Sequence, residues 1–433
     1  MFKKAVILFF LIGAGLVVLV VLTSGAFSGD NVPYSILPPG GLSPADVPQF
    51  VVFGFDDNGY SGIDGSGGSG GMKWALDLFN DRINPGSDAG RGTYDKEPCR
   101  ASFYLVGSYG DSAALEDMDL VRQMWRRARM EGHEIGSHSY SHGDRLKFDV
   151  SEKDWADEIE KCNQILKTIF ASDPDTSSGG WDNHPAPGGG DIHGFRTPFL
   201  AYTDATFKAL KGKGFLYDCS IEDGWQKEQN ASGFCWPYTL DNGSPGDKLI
   251  MHLPGVKRYQ PIGSYPGLWE LPLHPVMVPP DGECARYGIP PGLRNKINGQ
   301  YTWFDESQNK VPGVDYNLFF HCKLTREEAL AVLEYTFDQH YQGNRAPFCL
   351  GVHSDIYSSK YPLNHVPTDY RDRQWVLEEF IDYILNRPEV RIVPAGRVID
   401  WCRNPRPIHA TGKTGATETR RKNDSFRRSA PGA

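Results

Sequence analysis

The sequence lacks several patterns that mark common protein functions. It has no C-x-x-C pair among its eight cysteines, so a cysteine-based structural zinc site is not indicated, and the cysteines are too widely spaced for a compact cysteine-rich module. The glycine-rich stretch 59–71 has no G-x-x-x-x-G-K-[ST] order; it predicts a mobile loop and not a phosphate cradle. Basic residues are not in excess, since 45 Lys and Arg stand against 54 Asp and Glu. Nucleic acid is therefore not an expected partner.

The N-terminal segment has the pattern of an export signal. Lys3 and Lys4 precede an uncharged apolar run over residues 5–22, and small residues then fit a cleavage site after Ala26. The run is also close to the length that spans a bilayer, so a retained membrane anchor is the alternative. Export is expected in both cases, and the even number of cysteines then predicts up to four disulfides.

Predicted strands and helices alternate along most of the chain. The continuous apolar run at 50–55 predicts a buried strand. Further strands are predicted at 101–107, 134–136, 215–217, 249–253, 347–353 and 390–393, and helices at 115–131, 151–170, 203–213, 325–339 and 369–386. This alternation indicates a parallel sheet, either closed as a barrel or doubly wound. We predict a distorted (β/α) barrel.

The remaining stretches predict loops. Residues 27–45 are rich in Gly, Pro and Ser and predict a linker. The stretch 255–320 is too long for an ordinary connection and predicts a loop-rich insertion. Residues 404–433 are basic and poor in large apolar groups, which predicts a disordered tail.

Two histidines four residues apart, His138 and His142, are candidate metal ligands. At helical spacing both rings would lie on one face and reach a single ion, although twelve histidines can produce such a pair by chance. Functional groups in barrels lie where strands end, and predicted strands end at Asp56 and Asp57 and at His353. The Asp-Asp-Asn-Gly run is also ordinary turn chemistry. One aspartate with the two histidines would make a three-ligand catalytic zinc site, and the other aspartate would be a general base.

The order of five motifs resembles the polysaccharide deacetylase family, carbohydrate esterase family four. The motifs are FGFDDNG (53–59), HSYSH (138–142), GFRTPF (194–199), FLYDCSI (215–221) and LGVHS (350–354). The runs WPYTL (236–240), WELPLHPV (269–276) and QHYQGNRAPF (339–348) are similar to those of insect-type chitin deacetylases. The resemblance implies a catalytic domain at 46–403 on the barrel of this family.

The resemblance implies a metal site and a catalytic set. Its metal ligands would be Asp57, His138 and His142, and its metal would be divalent, with zinc expected first and Co²⁺ or Ni²⁺ as alternatives. The catalytic set would contain Asp56 as general base, Arg196 holding Asp56, and His353 as general acid. Asp218 would orient His353, with Asp223 competing for that role and a purely structural Asp218 as the alternative. A metal-activated water would attack the acetyl carbonyl.

Groove residues are implied next to this set. Pro198 and Phe199 would shape the groove, with the backbone N–H of Phe199 stabilising the oxyanion. Trp225, in a predicted loop, could stack on a sugar face, although tryptophan is more often present for packing. The chain departs from the family pattern at Gly54, where threonine is usual, at Phe199, where tyrosine is commoner, and at Gly351, where a larger apolar residue is usual.

The implied function is removal of N-acetyl groups from chitin or a related β-1,4-linked N-acetylglucosamine polymer. An acetylxylan O-acetyl esterase and a peptidoglycan deacetylase are alternatives on the same fold. A non-catalytic carbohydrate-binding protein is an alternative from another class. The presence together of six residues argues against it: Asp56, Asp57, His138, His142, Arg196 and His353. A chitin-like polysaccharide is the expected partner, no protein partner is implied, and a membrane tether depends on whether 5–22 is retained.

Overall fold

The computed structural model describes residues 8–12, 15–19, 30–65, 69–86, 93–143, 150–171, 192–222, 233–246, 261–301, 304, 310–361 and 365–408. Its strands are β1 (Leu8–Ile12), β2 (Gly15–Leu19), β3 (Gln49–Asp56), β4 (Ser102–Leu105), β5 (Glu134–Ser137), β6 (Gly194–Phe195), β7 (Tyr217–Asp218), β8 (Tyr238–Thr239), β9 (Trp269–Glu270), β10 (Val276–Met277), β11 (Lys310–Val311), β12 (Phe348–His353) and β13 (Val390–Ile392). Its α-helices are α1 (Gly71–Asn80), α2 (Met118–Met130), α3 (Glu152–Phe170), α4 (Asp204–Lys213), α5 (Asp281–Cys284), α6 (Leu293–Asn298), α7 (Arg326–Gln342), α8 (Tyr370–Leu385) and α9 (Ala395–Arg403).

Among the described residues, nine strands form one curled sheet that makes a half-barrel. The strand order is β12, β3, β4, β5, β6, β7, β9 and β8, and β13 pairs with the first residues of β3. Within this sheet β8 runs antiparallel to β9, and the other pairs are parallel. The predicted α/β architecture of the barrel type is confirmed, and the helices cover the outside of the curl as in other parallel sheets.

Strand β3 lies at the centre of the core. All eight of its residues are buried, as its continuous apolar run predicted. Phe53 packs against Phe79 of α1 and Phe380 of α8, while Phe55 stacks on Phe103 of β4. Each fully buried phenylalanine contributes about 1.5–3 kcal/mol, so this strand is a large part of what holds sheet and helices together.

Local signals in the sequence mark several helix ends correctly. The Ser151 side chain caps α3, and Thr325 with Glu328 forms a capping box at the start of α7. Gly214 adopts the left-handed conformation that ends α4. Such caps contribute about 1 kcal/mol each. The sequence did not predict α1 and α9, because α1 starts inside the glycine-rich stretch and α9 is a short helix close behind β13.

The described part of the glycine-rich stretch is held in place, which corrects the prediction of a mobile loop. The backbone N–H groups of Gly59 and Tyr60 donate to buried Asp355 at 2.9 and 3.0 Å. The next N–H, of Ser61, donates to Glu116 at 2.7 Å. These carboxylates come from distant parts of the chain, so glycine content alone could not reveal the contacts.

The predicted insertion packs onto the barrel through one buried carboxylate. Asp338 of α7 accepts hydrogen bonds from Arg286 at 2.9 Å and from Tyr287 at 3.1 Å, both in the insertion. It also accepts from Tyr383 and Arg387 at 3.0 and 2.9 Å. The described part of the insertion is therefore an ordered layer, with β10 paired to β11.

The predicted linker is also attached to the barrel where it is described. Asp30 accepts hydrogen bonds from the Trp269 indole at 2.9 Å and from Arg403 at 2.6 Å. The N–H of Val32 donates to the Thr239 hydroxyl at 2.9 Å. The predicted strand at 249–253 and the tail beyond residue 408 lie outside the described residues.

Strands β1 and β2, from the apolar N-terminal run, pair as an antiparallel hairpin. No helix within the described ranges is long and apolar enough to cross a membrane.

The expected disulfides are not found. All eight cysteines are buried and none takes part in a disulfide. Burial raises the pKa of the Cys162 thiol to about 11 and that of Cys99 to about 12, which keeps both protonated at neutral pH. An even cysteine count therefore did not predict pairing, because buried thiols also pack in a core as small apolar groups.

Candidate active site

The carboxyl ends of the parallel strands bring most of the predicted residues together. His353, at the end of β12, is the register partner of Asp56, at the end of β3. His138 follows β5 and Arg196 follows its neighbour β6. Parallel strands expose their carboxyl ends at one edge, so residues far apart in sequence become neighbours there.

Asp57, His138 and His142 form a cluster that fits a divalent metal. Oδ1 of Asp57 lies 3.6 Å from Nε2 of His138 and 3.1 Å from Nε2 of His142, and the donor atoms of all three residues lie within 4.8 Å of one another. This Oδ1 is buried and has no hydrogen-bond partner. A buried carboxylate oxygen without a donor is costly, and a cation among these three donors would remove that cost.

The tautomer of His138 suits this role. Its Nδ1 lies 2.8 Å from the carbonyl oxygen of Arg196, which can only accept, so Nδ1 carries the proton. Nε2 therefore keeps its lone pair for the cluster. Burial lowers the pKa of His138 to about 4, so the ring is neutral at physiological pH, as metal ligation requires.

The two histidines converge through a turn, so the helical spacing proposed for them was wrong. Residues 138–142 are not helical, and Ser139 and His142 have φ angles of 65° and 46°. Glu158 of α3 accepts a hydrogen bond from the N–H of Ser141 at 2.8 Å and holds this turn. Glu158 was not predicted, because on the sequence it is one of several acidic residues of an amphipathic helix.

Strained backbone is concentrated at this edge of the sheet. Asp57, Asn58 and Phe199 have φ angles of 68°, 65° and 59°. Such conformations cost about 1–3 kcal/mol each and persist at functional sites where the surroundings fix them. The Asn58 side chain supplies that restraint by donating to the carbonyl groups of Phe55 and Tyr104 at 2.8 and 3.1 Å.

Asp56 is held by a buried arginine, as predicted. Nη1 of Arg196 donates to Oδ1 of Asp56 at 3.0 Å and to the Gly54 carbonyl at 3.1 Å, and Nε donates to the Cys219 carbonyl at 2.9 Å. The guanidinium also lies over the Tyr104 ring, 4.5 Å from its centroid. Arg196 is 1% exposed, so these contacts fix both its position and that of Asp56.

Gly54 provides the space that this arginine needs. A Cβ at Gly54 would lie 2.7 Å from each terminal nitrogen of Arg196 and 3.0 Å from its Cζ. Contacts this short cannot be accommodated without moving the guanidinium. The departure from threonine at this position is therefore matched to the way Arg196 packs in this chain.

Replacing Gly54 with alanine should lower the free energy of unfolding by about 1–3 kcal/mol, through overpacking against Arg196. Without this overpacking, alanine in a strand would be more stable than glycine, so a loss of stability indicates the contact with Arg196. Denaturant unfolding measures the change. The matched control is Gly212→Ala in α4, where nothing lies within 4 Å of the new Cβ. That variant should gain about 0.5–1 kcal/mol. Equal stability gains in both variants would contradict the packing assigned to Gly54.

His353 is oriented by Asp315, and the prediction that Asp218 orients it is wrong. Nδ1 of His353 lies 2.8 Å from Oδ1 of Asp315, and its backbone N–H donates to Oδ2 at 3.0 Å. Burial lowers the pKa of His353, but the charge and hydrogen bond of Asp315, with smaller contributions from Asp57 and Asp56, raise it to about 10. His353 is therefore protonated at neutral pH.

Asp218 instead supports the turn that follows Arg196. Its carboxylate accepts from the N–H of Ser220 at 2.8 Å and from the Ser220 hydroxyl at 2.9 Å. That hydroxyl accepts from the N–H of Thr197 at 2.8 Å. Asp223, the competing candidate, and Trp225 lie outside the described residues.

A glycine in β12 explains how Asp315 reaches its place. Val314 forms a parallel bridge with Gly351, and a Cβ at Gly351 would lie 3.2 Å from Cγ2 of Val314 and 3.3 Å from the Gly313 carbonyl. The insertion thus packs directly over β12 and places Asp315 beside His353. Gly351 was the available signal, because it stands where the family has a larger residue.

Phe199 lies at the mouth of the site. Pro198 is buried and begins the short 3₁₀ turn Pro198–Leu200. The Phe199 ring is 44% exposed and its centroid lies 4.6 Å from that of His142. The Phe199 ring therefore borders the cluster at His142.

Comparison with known proteins finds similarity to polysaccharide deacetylases. The polysaccharide deacetylase family matches residues 78–178, a segment that includes His138 and His142. A Bombyx mori protein named chitin deacetylase 8 is 27% identical over 373 residues, which cover 86% of this chain and 74% of that protein. The sequence is thus similar to the polysaccharide deacetylase family over part of the chain and to chitin deacetylase 8 over most of it.

Two further similarities cover most of this chain. Chitin deacetylase 1 of Bombyx mori is 24% identical over 375 residues, 86% of this chain, and the match spans about half of that protein, 54%. A solved structure from Mycobacterium smegmatis, provisionally assigned as a polysaccharide deacetylase, has a TM-score of 0.47 and 16% identity. That match covers 90% of this chain and 100% of the other.

Proposed function

We propose that this chain is a metal-dependent deacetylase that removes N-acetyl groups from chitin or a related β-1,4-linked N-acetylglucosamine polymer. The observation that carries the proposal is the meeting of a donor cluster with an aspartate and a protonated histidine. The cluster of Asp57, His138 and His142 lies at the same strand edge as Asp56 and His353. This combination suits hydrolysis of an acyl group better than binding alone.

A divalent metal, with zinc first and Co²⁺ or Ni²⁺ as alternatives, would be held by Asp57, His138 and His142 and would supply Lewis-acid polarisation of the acetyl carbonyl and acidification of water. The chain prepares these ligands itself. The carbonyl of Arg196 sets the tautomer of His138, and Glu158 holds the turn that carries His142.

Asp56 and His353 would move the protons. Asp56, oriented by Arg196, takes a proton from the attacking water as the water oxygen bonds to the acetyl carbon. His353 gives its proton to the nitrogen as the C–N bond breaks, so the products are acetate and a free amine on the sugar. Arg196 keeps the base in one orientation through its bond to Oδ1.

The protonation of His353 favours an amide substrate over an ester. An amine leaves only when its nitrogen is protonated, whereas an alkoxide depends less on an acid. Asp315 keeps His353 in the acid form over a wide pH range. An acetylxylan esterase and a peptidoglycan deacetylase remain the alternatives on this fold. The export pattern at the N-terminus supports an action outside the cell, where such polymers are accessible.

Acetate release from chitin oligomers tests the proposal. The metal-loaded protein should release acetate, EDTA should abolish the release, and added Zn²⁺ should restore it. His142→Ala should lower both zinc content and the rate, the latter by about 100-fold or more, because three protein ligands are the minimum for a catalytic site. The matched control is His365→Ala, an exposed histidine outside the cluster, which should change neither.

Other outcomes would redirect the assignment. Release from acetylated xylan or peptidoglycan fragments but not from chitin would select one of the two alternative hydrolases. A zinc-loaded protein that releases acetate from none of these polymers would instead favour a non-catalytic carbohydrate-binding protein.

A further inference from the structure

A run of aromatic rings leads away from His353 across the insertion. The Tyr316 ring centroid lies 6.3 Å from that of His353, and Phe320 stacks on Tyr316 at 4.7 Å with 27° between the planes. His321 lies 5.5 Å from Tyr316 and stacks on Tyr301 at 5.4 Å. Successive rings are therefore in contact from the proposed general acid outward.

The outer part of this run faces solvent. Phe320 is 36% exposed, and His321 next to it is exposed too. Within the part of the chain that the structure describes, the phenylalanines exposed to this degree are Phe320 and Phe199. Phe199 lies beside His142, and Phe320 is linked to His353 through Tyr316. Full burial of a phenylalanine would contribute about 1.5–3 kcal/mol, so stability alone does not explain two exposed rings at a reactive site.

The backbone that carries Phe320 is fixed. Residues Asn317–His321 form a π-helix, closed by the bond from the N–H of Cys322 to the Asn317 carbonyl at 2.8 Å. Single π-turns of this kind occur frequently at functional sites. Leu318 and Phe319 are each 1% exposed and anchor the turn in the core, so the Phe320 ring has a defined position before any ligand binds.

We propose that Tyr316 and Phe320 form a stacking subsite for the sugar ring next to the one that carries the acetyl group. This inference rests on the proposed deacetylase function and names the part of the site that recognises the polymer. The faces of a β-1,4-linked pyranose present C–H groups, which pack on the electron-rich face of an aromatic ring. An apolar platform with few polar groups is the usual lining of such a site.

The location of the platform decides which sugar it binds. The rings begin at His353, which protonates the leaving amine, and Phe320 joins the run through Tyr316, one ring further along. A sugar stacked on Phe320 therefore lies beyond the reacting unit and gains contact only if the substrate is longer than one residue. Chain-length preference is the property that these rings control.

The test is Phe320→Ala assayed on two substrates with the metal-loaded full chain. For N-acetylglucosamine tetramer, KM should rise about 3- to 10-fold with kcat nearly unchanged, the range expected for loss of one ring-face contact. For a small aryl acetate ester, which occupies only the acyl position, kcat/KM should stay within about twofold of the wild type. Phe320→Tyr should restore the KM for the tetramer.

The control is Leu37→Ala, which removes another exposed apolar side chain, 70% exposed, at the opposite edge of the sheet. Its neighbour Ile36 is bonded there to Asn344, before β12 begins. This control should leave both substrates unaffected. An equal loss on tetramer and ester in Phe320→Ala, or an unchanged KM for the tetramer, would overturn the subsite.

A failure of the proposed function gives a separate result. If the wild type releases no acetate from any substrate, tetramer binding is measured by calorimetry instead. Affinity weakened by Phe320→Ala and restored by Phe320→Tyr would then support the platform in a binding protein, and unchanged affinity would overturn it.

Discussion

Replacing Asp56 with asparagine should lower kcat for acetate release by about 10²- to 10⁴-fold while the protein stays folded. Asparagine keeps the oxygen that accepts from Nη1 of Arg196 at 3.0 Å, but it cannot take a proton from water. Acetate release and denaturant unfolding, measured on the same preparation, distinguish loss of the general base from loss of the folded state. The free energy of unfolding should fall less than in an alanine variant, because the buried arginine loses its countercharge but keeps a hydrogen-bond acceptor.

Asp56→Ala is the matched variant. It removes the carboxylate from Arg196, which is 1% exposed, and a buried charge that loses its partner typically costs about 3–5 kcal/mol. The carbonyl groups of Gly54 and Cys219 still accept from the guanidinium, so the lower end of that range is expected. An asparagine variant with more than about a tenth of wild-type activity would contradict the role of general base.

Replacing Asp315 with asparagine should move the alkaline limb of the pH–rate profile to lower pH by about 1–3 pH units. In the wild type, burial lowers the pKa of His353, but Asp315 outweighs it and the pKa is raised to about 10. The acid form is present below this pKa and is lost as pH rises through it. Without the carboxylate the pKa falls, so the proton needed by the leaving amine is lost at lower pH.

The same change should alter how stability depends on pH. Because the folded pKa of His353, about 10, lies above the ordinary value of 6.5, its contribution to stability is complete below 6.5 and is lost as pH rises toward 10. Denaturant unfolding should show that the free energy of unfolding of the wild type falls between pH 6.5 and 10. The fall should be smaller in Asp315→Asn.

Asp218→Asn serves as the comparison for Asp315→Asn. Its carboxylate bonds to Ser220 and not to His353, so it should lower activity through the 197–199 turn without moving the alkaline limb. A limb that moves in Asp218→Asn and stays in place in Asp315→Asn would restore the original sequence-based assignment.

The residues that were predictable share one property, that their signals are local. The apolar run of β3 predicts a strand that is covered on both faces, and the pair Thr325 and Glu328 predicts where a helix begins. Strand ends then identify Asp56 and His353 as neighbours, because parallel strands present the same ends at one edge. Most of the barrel and most of the candidate site follow from such short patterns.

The contacts that were not predictable join segments with no shared pattern. Asp315 reaches His353 only because the insertion packs over Gly351, and Glu158 reaches the histidine turn from the side of α3. The cysteine count likewise could not show that the eight buried thiols stay unpaired.

The sequence by itself determined the alternation of strands and helices, several helix caps and the residue types available for metal binding and proton transfer. These depend on hydrophobic periodicity and side-chain chemistry within a few residues. Only the tertiary structure decided which aspartate serves His353, which turn joins His138 to His142, and why position 54 is glycine. Those outcomes depend on distances of a few ångströms between side chains from different elements, which the packing of the whole barrel sets.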